Sequence, residues 1–218
     1  MRQPLSCVIF DIDGTIARTS DLIFASFNHV ISRHLGKTMA PQEIMRLFGP
    51  PEEGALSALF GAERAGALMD ELCTFYAAHH GAMASVHDGI DRILEFLRER
   101  NVCLAVFTGK GSRTTEITLE SLGLRSFFQC VVTGNDVVNH KPHPEGILRI
   151  LSATGMAAET ALMVGDSPVD VAASRAAGVR VASVLWDSFN PDAVIASNSD
   201  IVFHTVSEMD RWLREHIQ

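Results

Sequence analysis

The sequence contains little of what would hold a small secreted protein together or carry a chain into a membrane. It has only four cysteines, far apart and without a CxxC pair: Cys7, Cys73, Cys103 and Cys130. This spacing argues against a disulfide framework and indicates a reducing compartment. No apolar stretch approaches the length of a membrane-spanning helix, and the first one, residues 5–10, is too short for the core of a signal peptide. We therefore expect a soluble cytoplasmic protein that has no membrane partner.

Basic residues are also few. Lys and Arg number 18 against 26 Asp and Glu, which gives a formal net charge of −8. A surface of this sign does not attract nucleic acid or an anionic membrane, so neither is expected as the main partner. The 218 residues, 47% hydrophobic and 20% charged, suit one large domain or one domain that carries a smaller insert. A monomer and a homodimer both remain open.

Five short apolar runs rich in β-branched residues recur along the chain, each followed by a helical pattern. They lie at residues 7–10, 102–107, 130–133, 161–164 and 179–184, with a weaker sixth run at 201–203. Because these runs show no alternation with polar residues, they indicate strands buried on both faces of a parallel sheet. The alternation of strand and helix predicts an open α/β sheet. Two helix starts are also predicted, at Asp88 and at a capping box of Thr205 and Glu208.

One interval, residues 16–87, interrupts this alternation because it contains no convincing strand. An apolar face at helical spacing begins it, formed by Leu22, Ile23, Phe27, Val30 and Ile31. Further helical stretches follow, separated by proline and glycine. We interpret the interval as a helical insert of 72 residues, which leaves residues 1–15 and 88–218 for the sheet domain. His79 and His80, adjacent in the insert, are expected to be solvated.

The most distinctive motif directly follows the first run and reads Asp11, Ile12, Asp13, Gly14 and Thr15. Two carboxylates placed together at the end of a buried strand are unfavourable without a cation between them. The alternative is an ordinary strand-end turn, in which Asp and Gly are common for conformational reasons. On this motif alone, the two interpretations are about equally favoured.

Polar residues after the other strands favour the functional interpretation. Thr108 and Gly109 follow the second run, and Asp166 and Asp170 follow the fourth. Lys141 lies in a proline-stiffened loop ahead of a helix. In open α/β sheets the ligand crevice lies outside the carboxyl ends of the strands, so Thr108 and Asp166 converge with the first motif if its strand is central. An acidic, oxygen-rich cluster suits a hard divalent cation, and Mg²⁺ fits it best.

Taken together, four motifs resemble those of the haloacid dehalogenase-like superfamily of hydrolases. They are residues 11–15, Thr108, Lys141 and residues 165–170, and they occur in that family's order. The resemblance implies a Rossmann-like parallel sheet of order 3-2-1-4-5, numbered along the chain, with a possible sixth strand at the edge. It also implies that residues 16–87 are the family's helical cap. The phosphoglycolate phosphatase and pyrophosphatase-like branch is the most similar.

The resemblance assigns a role to each motif residue. Asp11 would be the nucleophile that forms an aspartyl-phosphate, and Asp13 the general acid and base. Thr108 and the amide of Gly109 would bind the phosphoryl oxygens, while Lys141 would neutralise negative charge. The resemblance also implies a Mg²⁺ ion, whose ligands would be Asp11, the main-chain carbonyl of Asp13, Asp166 and, in support, Asp170.

The implied function is a Mg²⁺-dependent phosphatase acting on a small phosphorylated metabolite, such as 2-phosphoglycolate. Asp13 argues against dehalogenation, because a halide leaving group needs no acid. The alternatives are a phosphomutase, a phosphonate or pyrophosphate hydrolase on the same fold, and a non-catalytic binding module; the only lysine of the insert, Lys37, lies too early for the Schiff base of a phosphonate hydrolase. Residues 19–20 and 88–89, at the two cap hinges, depart from the family's pattern. Substrate choice is expected to lie in the cap, especially at residues 48–55.

Overall fold

Residues 4–217, which the computed structural model describes, alternate strands and helices as the sequence predicts. The eight strands of this range are β1 (Cys7–Phe10), β2 (Ala17–Arg18), β3 (Ser85–Val86), β4 (Cys103–Phe107), β5 (Cys130–Val132), β6 (Ala161–Gly165), β7 (Arg180–Val184) and β8 (Ile201–Phe203). Its ten α-helices are α1 (Ser20–Leu35), α2 (Pro41–Met45), α3 (Glu52–Phe60), α4 (Ala62–Met83), α5 (Ile90–Glu99), α6 (Ser112–Ser121), α7 (Glu145–Thr154), α8 (Pro168–Ala176), α9 (Pro191–Ala196) and α10 (Val206–His216). None of these helices is both long and apolar enough to cross a membrane.

Six of the eight strands form one parallel sheet in the order β5-β4-β1-β6-β7-β8. This confirms the predicted order, and the weak sixth run forms the edge strand beside β7. The central position of β1 places Phe10 level with Val106 of β4 and Val164 of β6. The residues that follow these three strands therefore reach the same edge of the sheet.

Helices cover both faces of this sheet, which explains why its central strands are apolar throughout. On one face, α5 and α10 bury Ile93, Leu97 and Leu213 against the strands. On the other face, α7 and α8 bury Ile147 and Val171. With both faces covered by apolar side chains, the polar residues of the central strands are confined to the strand ends.

Helices α1–α4 pack around an apolar cluster of their own, which includes Leu22, Phe27, Ile31 and Tyr76. The chain enters and leaves this helical segment through β2 and β3, which pair antiparallel with each other. The prediction that residues 16–87 contain no strand is therefore wrong at both ends of the interval. Strands of two residues are too short to show a periodicity, and each is stabilised by a partner that is distant in the sequence.

Local predictions around the helices have mixed outcomes. The capping box of α10 is confirmed, since Thr205 Oγ1 accepts from the N–H of Glu208 at 3.2 Å. The predicted cap at Asp88 is wrong: Gly89, with a φ of 98°, separates it from α5, and no side chain caps that helix. The predicted exposure of the two histidines holds for His79 but is wrong for His80, whose ring is buried edge-on against Tyr76.

Candidate active site

Three carboxylates meet at the carboxyl edge of the sheet. Asp11 directly follows β1, and its N–H donates to the main-chain oxygen of Val164 at 2.9 Å, which fixes it beside the end of β6. Asp166 follows β6, and Asp170 lies in the first turn of α8. Each of the three offers a carboxylate oxygen that lies within 4.8 Å of the other two. The structure thus brings together these three residues, which the sequence predicted as metal ligands.

Burial makes this cluster unfavourable without a cation. Burial is the largest cause that raises the pKa of Asp11 to about 6; Lys141 opposes it, and Asp170 and Asp13 add to it. The pKa of Asp166 is raised well above its ordinary value, again first by burial and then by the charges of Asp11 and Asp170. A buried group of carboxylate oxygens is the donor set that Mg²⁺ prefers, so the residues present fit that ion.

Two glycines let the carboxylates approach the backbone closely. Gly14 has a φ of +78°, and a Cβ at this position would lie 2.6 Å from Oδ2 of Asp166. A Cβ at Gly165 would collide with the carboxyl group of Asp170. A larger residue at either position would therefore displace a member of the cluster.

Lys141 balances the negative charge from one side of the cluster. Its Nζ lies 2.7 Å from Oδ1 of Asp170 and 3.2 Å from Oδ2 of Asp11. It also donates to the main-chain oxygen of Phe107 at 2.7 Å. Although burial opposes the charged form, Asp11 and Asp170 raise the pKa of Lys141. The lysine is therefore held cationic and directed toward Asp11.

A capping box at the start of α8 fixes the orientation of Asp170. Its Oδ2 accepts from the N–H of Ser167 at 3.1 Å and from the hydroxyl of Ser167 at 2.6 Å. The other oxygen, Oδ1, remains directed at Lys141. One buried aspartate thus caps a helix and positions the lysine of the site.

Asp13 is not part of the three-carboxylate cluster and is held instead by residues outside it. The hydroxyl of Thr19 donates to its Oδ1 at 2.5 Å, and Nζ of Lys110 lies 3.5 Å from its Oδ2. Its side chain retains 26% of its accessible surface. Asp13 is therefore held by hydrogen bonds yet still open to the space above Asp11.

Lys110 and Glu52 join the sheet domain to the helical segment. From the sequence alone, Lys110 is as compatible with solvent as with substrate, but its side chain is only 2% exposed and its Nζ lies 3.7 Å from Oε1 of Glu52. Glu52, the first residue of α3, accepts from the N–H of Gly111 at 2.7 Å and from the hydroxyl of Thr114 at 2.6 Å. This buried glutamate therefore attaches the helical segment to the start of α6.

A cavity of about 410 Å³ lies between the sheet edge and helices α1–α3. Its polar lining on the sheet side includes Asp11, Asp13, Thr108, Lys110, Lys141, Asp166, Ser167, Ser188 and Asn190, with the backbone of Gly109. Thr108 is buried, and its Oγ1 accepts from the N–H of Lys110 at 3.2 Å. The predicted site residues, with the exception of Asp170, thus share one enclosed space.

The loop after β7 and the turn after β1 support Asp166. The hydroxyl of Thr15 donates to its Oδ1 at 3.2 Å, and the hydroxyl of Ser188 donates to its main-chain oxygen at 2.7 Å. The indole of Trp186 in turn donates to the main-chain oxygen of Thr15 at 3.1 Å. These contacts hold Asp166, whose pKa is raised well above its ordinary value, in place.

A family model described as haloacid dehalogenase-like hydrolase matches residues 8–184 of this chain. The chain belongs to that family. Two relatives are named pyrophosphatase PpaX. The one from Anoxybacillus flavithermus is 31% identical over 206 residues, which cover 91% of this chain and 95% of the relative. The one from Bacillus pumilus is 30% identical over 205 residues and 94% of either chain.

Solved structures share the fold of this chain. A predicted phosphoglycolate phosphatase from Haemophilus somnus has a TM-score of 0.84 at 18% identity and covers 97% of this chain and 99% of its own. CbbY from Rhodobacter sphaeroides, solved in complex with phosphate, has a TM-score of 0.81 at 18% identity and covers 94% and 96%. At this identity the likeness supports the shared fold alone.

In this haloacid dehalogenase-like hydrolase, the strand-end residues were accessible to sequence reasoning, but several of their partners were not. The sequence places Thr19 at a hinge of the insert and Glu52 within residues 48–55, but it indicates no contact partner for either residue. Thr15 was part of the aspartate motif, and nothing in the sequence indicated its hydroxyl as a donor to Asp166. The sequence offers only a weak indication that Glu52 makes such a contact, namely a charged residue directly after two prolines at the start of a helix.

Proposed function

We propose that this chain is a Mg²⁺-dependent phosphatase that hydrolyses a small phosphorylated compound through an aspartyl-phosphate on Asp11. The observation that carries the proposal is that Asp11, Asp166 and Lys141 line one cavity, with the carboxylate of Asp170 directly behind them in contact with Lys141. Members of the family generally use Mg²⁺, and the three carboxylates would hold it together with the main-chain carbonyl of Asp13. When bound, the ion would reduce the repulsion between carboxylate and phosphoryl group.

In the first step, a carboxylate oxygen of Asp11 attacks phosphorus, and the bond between phosphorus and the leaving oxygen breaks. The electron pair of that bond stays on the leaving oxygen, which takes a proton from Asp13. The hydrogen bond from Thr19 and the nearby ammonium of Lys110 orient Asp13 for this transfer. A positioned acid and base of this kind typically accelerates a reaction by about 10²–10⁴-fold.

In the second step, Asp13 removes a proton from water, and the oxygen of that water attacks phosphorus. Phosphate leaves, and the carboxylate of Asp11 is regenerated. Thr108 and the amide of Gly109 bind phosphoryl oxygens in both steps, since both line the cavity beside Asp11. Lys141, 3.2 Å from Asp11, stabilises the negative charge that accumulates there.

Pyrophosphate hydrolysis is the second candidate function. The observation that favours it is the name of the two relatives, which are 31% and 30% identical to this chain over most of its length. The sequence itself suggested 2-phosphoglycolate. Both compounds therefore belong in a first panel of substrates.

The nucleophile can be tested by measuring phosphate release. Purified protein with Mg²⁺ should release phosphate from at least one compound of the panel, and chelation of the ion should abolish the activity. Asp11→Asn should lower the rate by at least roughly 10³-fold, whereas Asp91→Asn, an exposed aspartate of α5, should leave it unchanged. Mass spectrometry of acid-quenched protein should detect a phosphoryl adduct on Asp11. A fully active Asp11→Asn variant would refute the proposal.

We also propose that residues 16–87 act as a cap that covers the cavity, since they have a separate apolar cluster, enter and leave through the paired strands β2 and β3, and line one side of the cavity. A cytoplasmic location and a monomeric or homodimeric state stay predictions from the sequence.

A further inference from the structure

The cavity has an apolar half that the proposed chemistry does not use. Its wall on the cap side is made of side chains from α1, α2 and the loop after α2, namely Ile23, Phe24, Phe27, Met45, Leu47 and Phe48. Attack on phosphorus involves only the opposite, polar half. The remainder of a substrate held at Asp11 would therefore lie against this apolar wall.

Aromatic side chains extend the apolar wall to the mouth of the cavity. The ring of Phe24 lies nearly parallel to that of Phe48, at an angle of 6° and a centroid distance of 6.5 Å. The ring of Phe189, from the loop after β7, contacts that of Phe24 at a centroid distance of 5.8 Å. Phe48 and Phe189 are 43% and 49% exposed. Large apolar side chains kept exposed around a cavity are typical of a binding surface.

The cationic residues of the cavity already contact carboxylates, so they offer little attraction to a second anionic group on the substrate. Lys141 contacts Asp11 and Asp170, and Lys110 lies beside Asp13 and Glu52. Among the described residues that line the cavity, those from α1–α3 and their connecting loops include no Lys, Arg or His. The charged residue among these lining residues is the acidic Glu52, which already accepts two hydrogen bonds. A second anionic group against this wall would therefore lose water without gaining a cationic partner.

We infer that the substrate is a phosphate monoester whose leaving group is apolar and uncharged, such as an aromatic ring, and packs against Phe24, Phe48 and Phe189. This inference rests on the proposed phosphatase function and specifies its substrate class. It disfavours pyrophosphate and 2-phosphoglycolate, because each carries a second anionic group that would face the apolar wall. Burial of the ring, rather than a charged contact, selects the substrate.

A pair of substrates that differ by one charge tests the inference directly. Phenyl phosphate and 4-carboxyphenyl phosphate present the same ring to the cavity, but only the second adds a carboxylate. With the full chain and Mg²⁺, we expect kcat/KM for phenyl phosphate to exceed that for the carboxylated ester by at least about tenfold. It should also exceed the values for 2-phosphoglycolate and pyrophosphate.

Variants of the wall provide the second measurement. Phe48→Ala should raise KM for phenyl phosphate by at least about fivefold with little change in kcat, because the ring binds equally in the ground and transition states. Phe48→Arg should narrow or reverse the preference for phenyl phosphate over its carboxylated analogue. Leu35→Ala, at a position of α1 that is also 43% exposed but does not line the cavity, is the matched control and should change neither value.

The outcomes separate this inference from the function on which it rests. Equal or better kcat/KM for the carboxylated ester, pyrophosphate or 2-phosphoglycolate would overturn the apolar leaving group and leave the phosphatase proposal intact. An unchanged KM in Phe48→Ala would also overturn it. If the protein with Mg²⁺ hydrolysed none of these four compounds, the phosphatase function itself would be overturned.

Discussion

At the scale of single residues, the site is a balance between crowded carboxylates and one cation. Asp11, Asp166 and Asp170 lie within 4.8 Å of one another through their carboxylate oxygens, and Lys141 contacts two of them. Asp166 has no direct ion pair among the described residues and is the carboxylate whose pKa burial raises most clearly. If these carboxylates hold a metal ion, as proposed, their arrangement destabilises the fold while the ion is absent.

Replacing Asp166 with asparagine should stabilise the protein in the absence of metal. The amide removes a buried charge and can still accept the hydrogen bond from Thr15. We expect Tm in EDTA to rise by about 2–4 °C for each kcal/mol gained. Mg²⁺ should raise Tm of the wild type, and Asp166→Asn should lose most of that increase. Thermal unfolding with and without Mg²⁺ measures both effects, with Asp91→Asn as the control.

One outcome of the same measurement would contradict the prediction for Asp166→Asn. If Asp166→Asn lowered Tm in EDTA and still gained the full stabilisation by Mg²⁺, Asp166 would be a structural residue rather than a metal ligand.

At the scale of elements, Glu52 joins the helical segment to the sheet domain beside the site. Glu52 at the start of α3 accepts from Gly111 and Thr114 at the start of α6, and the same glutamate lies near Lys110. A Cβ at Gly111 would lie 2.5 Å from Oε2 of Glu52, so the approach also depends on glycine. The contact therefore couples the position of the cap to the lysine that faces Asp13.

Glu52→Ala should weaken this coupling. It leaves the N–H of Gly111 without its acceptor and removes one of the two carboxylates beside Lys110, which still has Asp13 at 3.5 Å. A lost partner for a buried polar group corresponds to a decrease of about tenfold or more in kcat/KM if turnover needs the helical segment in this position. The amide of Gly111 should also exchange its hydrogen faster. Glu52→Gln, which retains an acceptor oxygen, should have an intermediate effect, and Glu63→Ala, an exposed glutamate of α4, none. Unchanged kinetics in Glu52→Ala would show that the contact plays no part in turnover.

At the scale of the whole molecule, folding stability is coupled to pH through the hinge between cap and sheet domain. His87, which follows β3, is 4% exposed, and its Nε2 lies 3.4 Å from Oδ2 of Asp187. Burial, and then the charge of Arg18, lowers the pKa of His87 from 6.5 to about 4, while Asp88 opposes the change. Between these two values the unfolded chain binds a proton that the folded chain excludes, so stability falls as the pH decreases below about 6.5.

The size of this pH effect follows from the two pKa values. Between pH 7.5 and pH 5, the wild type should lose about 2 kcal/mol of unfolding free energy from this residue alone. His87→Gln cannot bind the proton, so its loss over the same range should be smaller by that amount. Urea unfolding of both proteins at the two pH values measures the difference. Parallel pH profiles for the two proteins would argue that His87 is protonated in the folded state.

The sequence predicts the strands of the sheet more completely than the structure of residues 16–87. Strands such as β1 are continuous apolar runs, so their existence and their common carboxyl edge follow from composition and topology rules. The insert shows helical spacing, but β2 and β3 escape detection because each consists of two residues. His80 was misjudged for a related reason: a helix pattern locates a face, but the neighbour that covers it, Tyr76, is known only after folding.

The amino-acid sequence by itself determined the strands, the helical insert and the strand-end residues, because these depend on local periodicity and on where buried strands stop. The order of the strands followed from the resemblance to the haloacid dehalogenase-like family. Only the tertiary structure decided which charges face each other. It placed Lys141 against Asp11, Glu52 against the start of α6, and an apolar wall across the cavity from the carboxylates. Such contacts join residues far apart in the chain, and their energies depend on distance and burial, which no local pattern encodes.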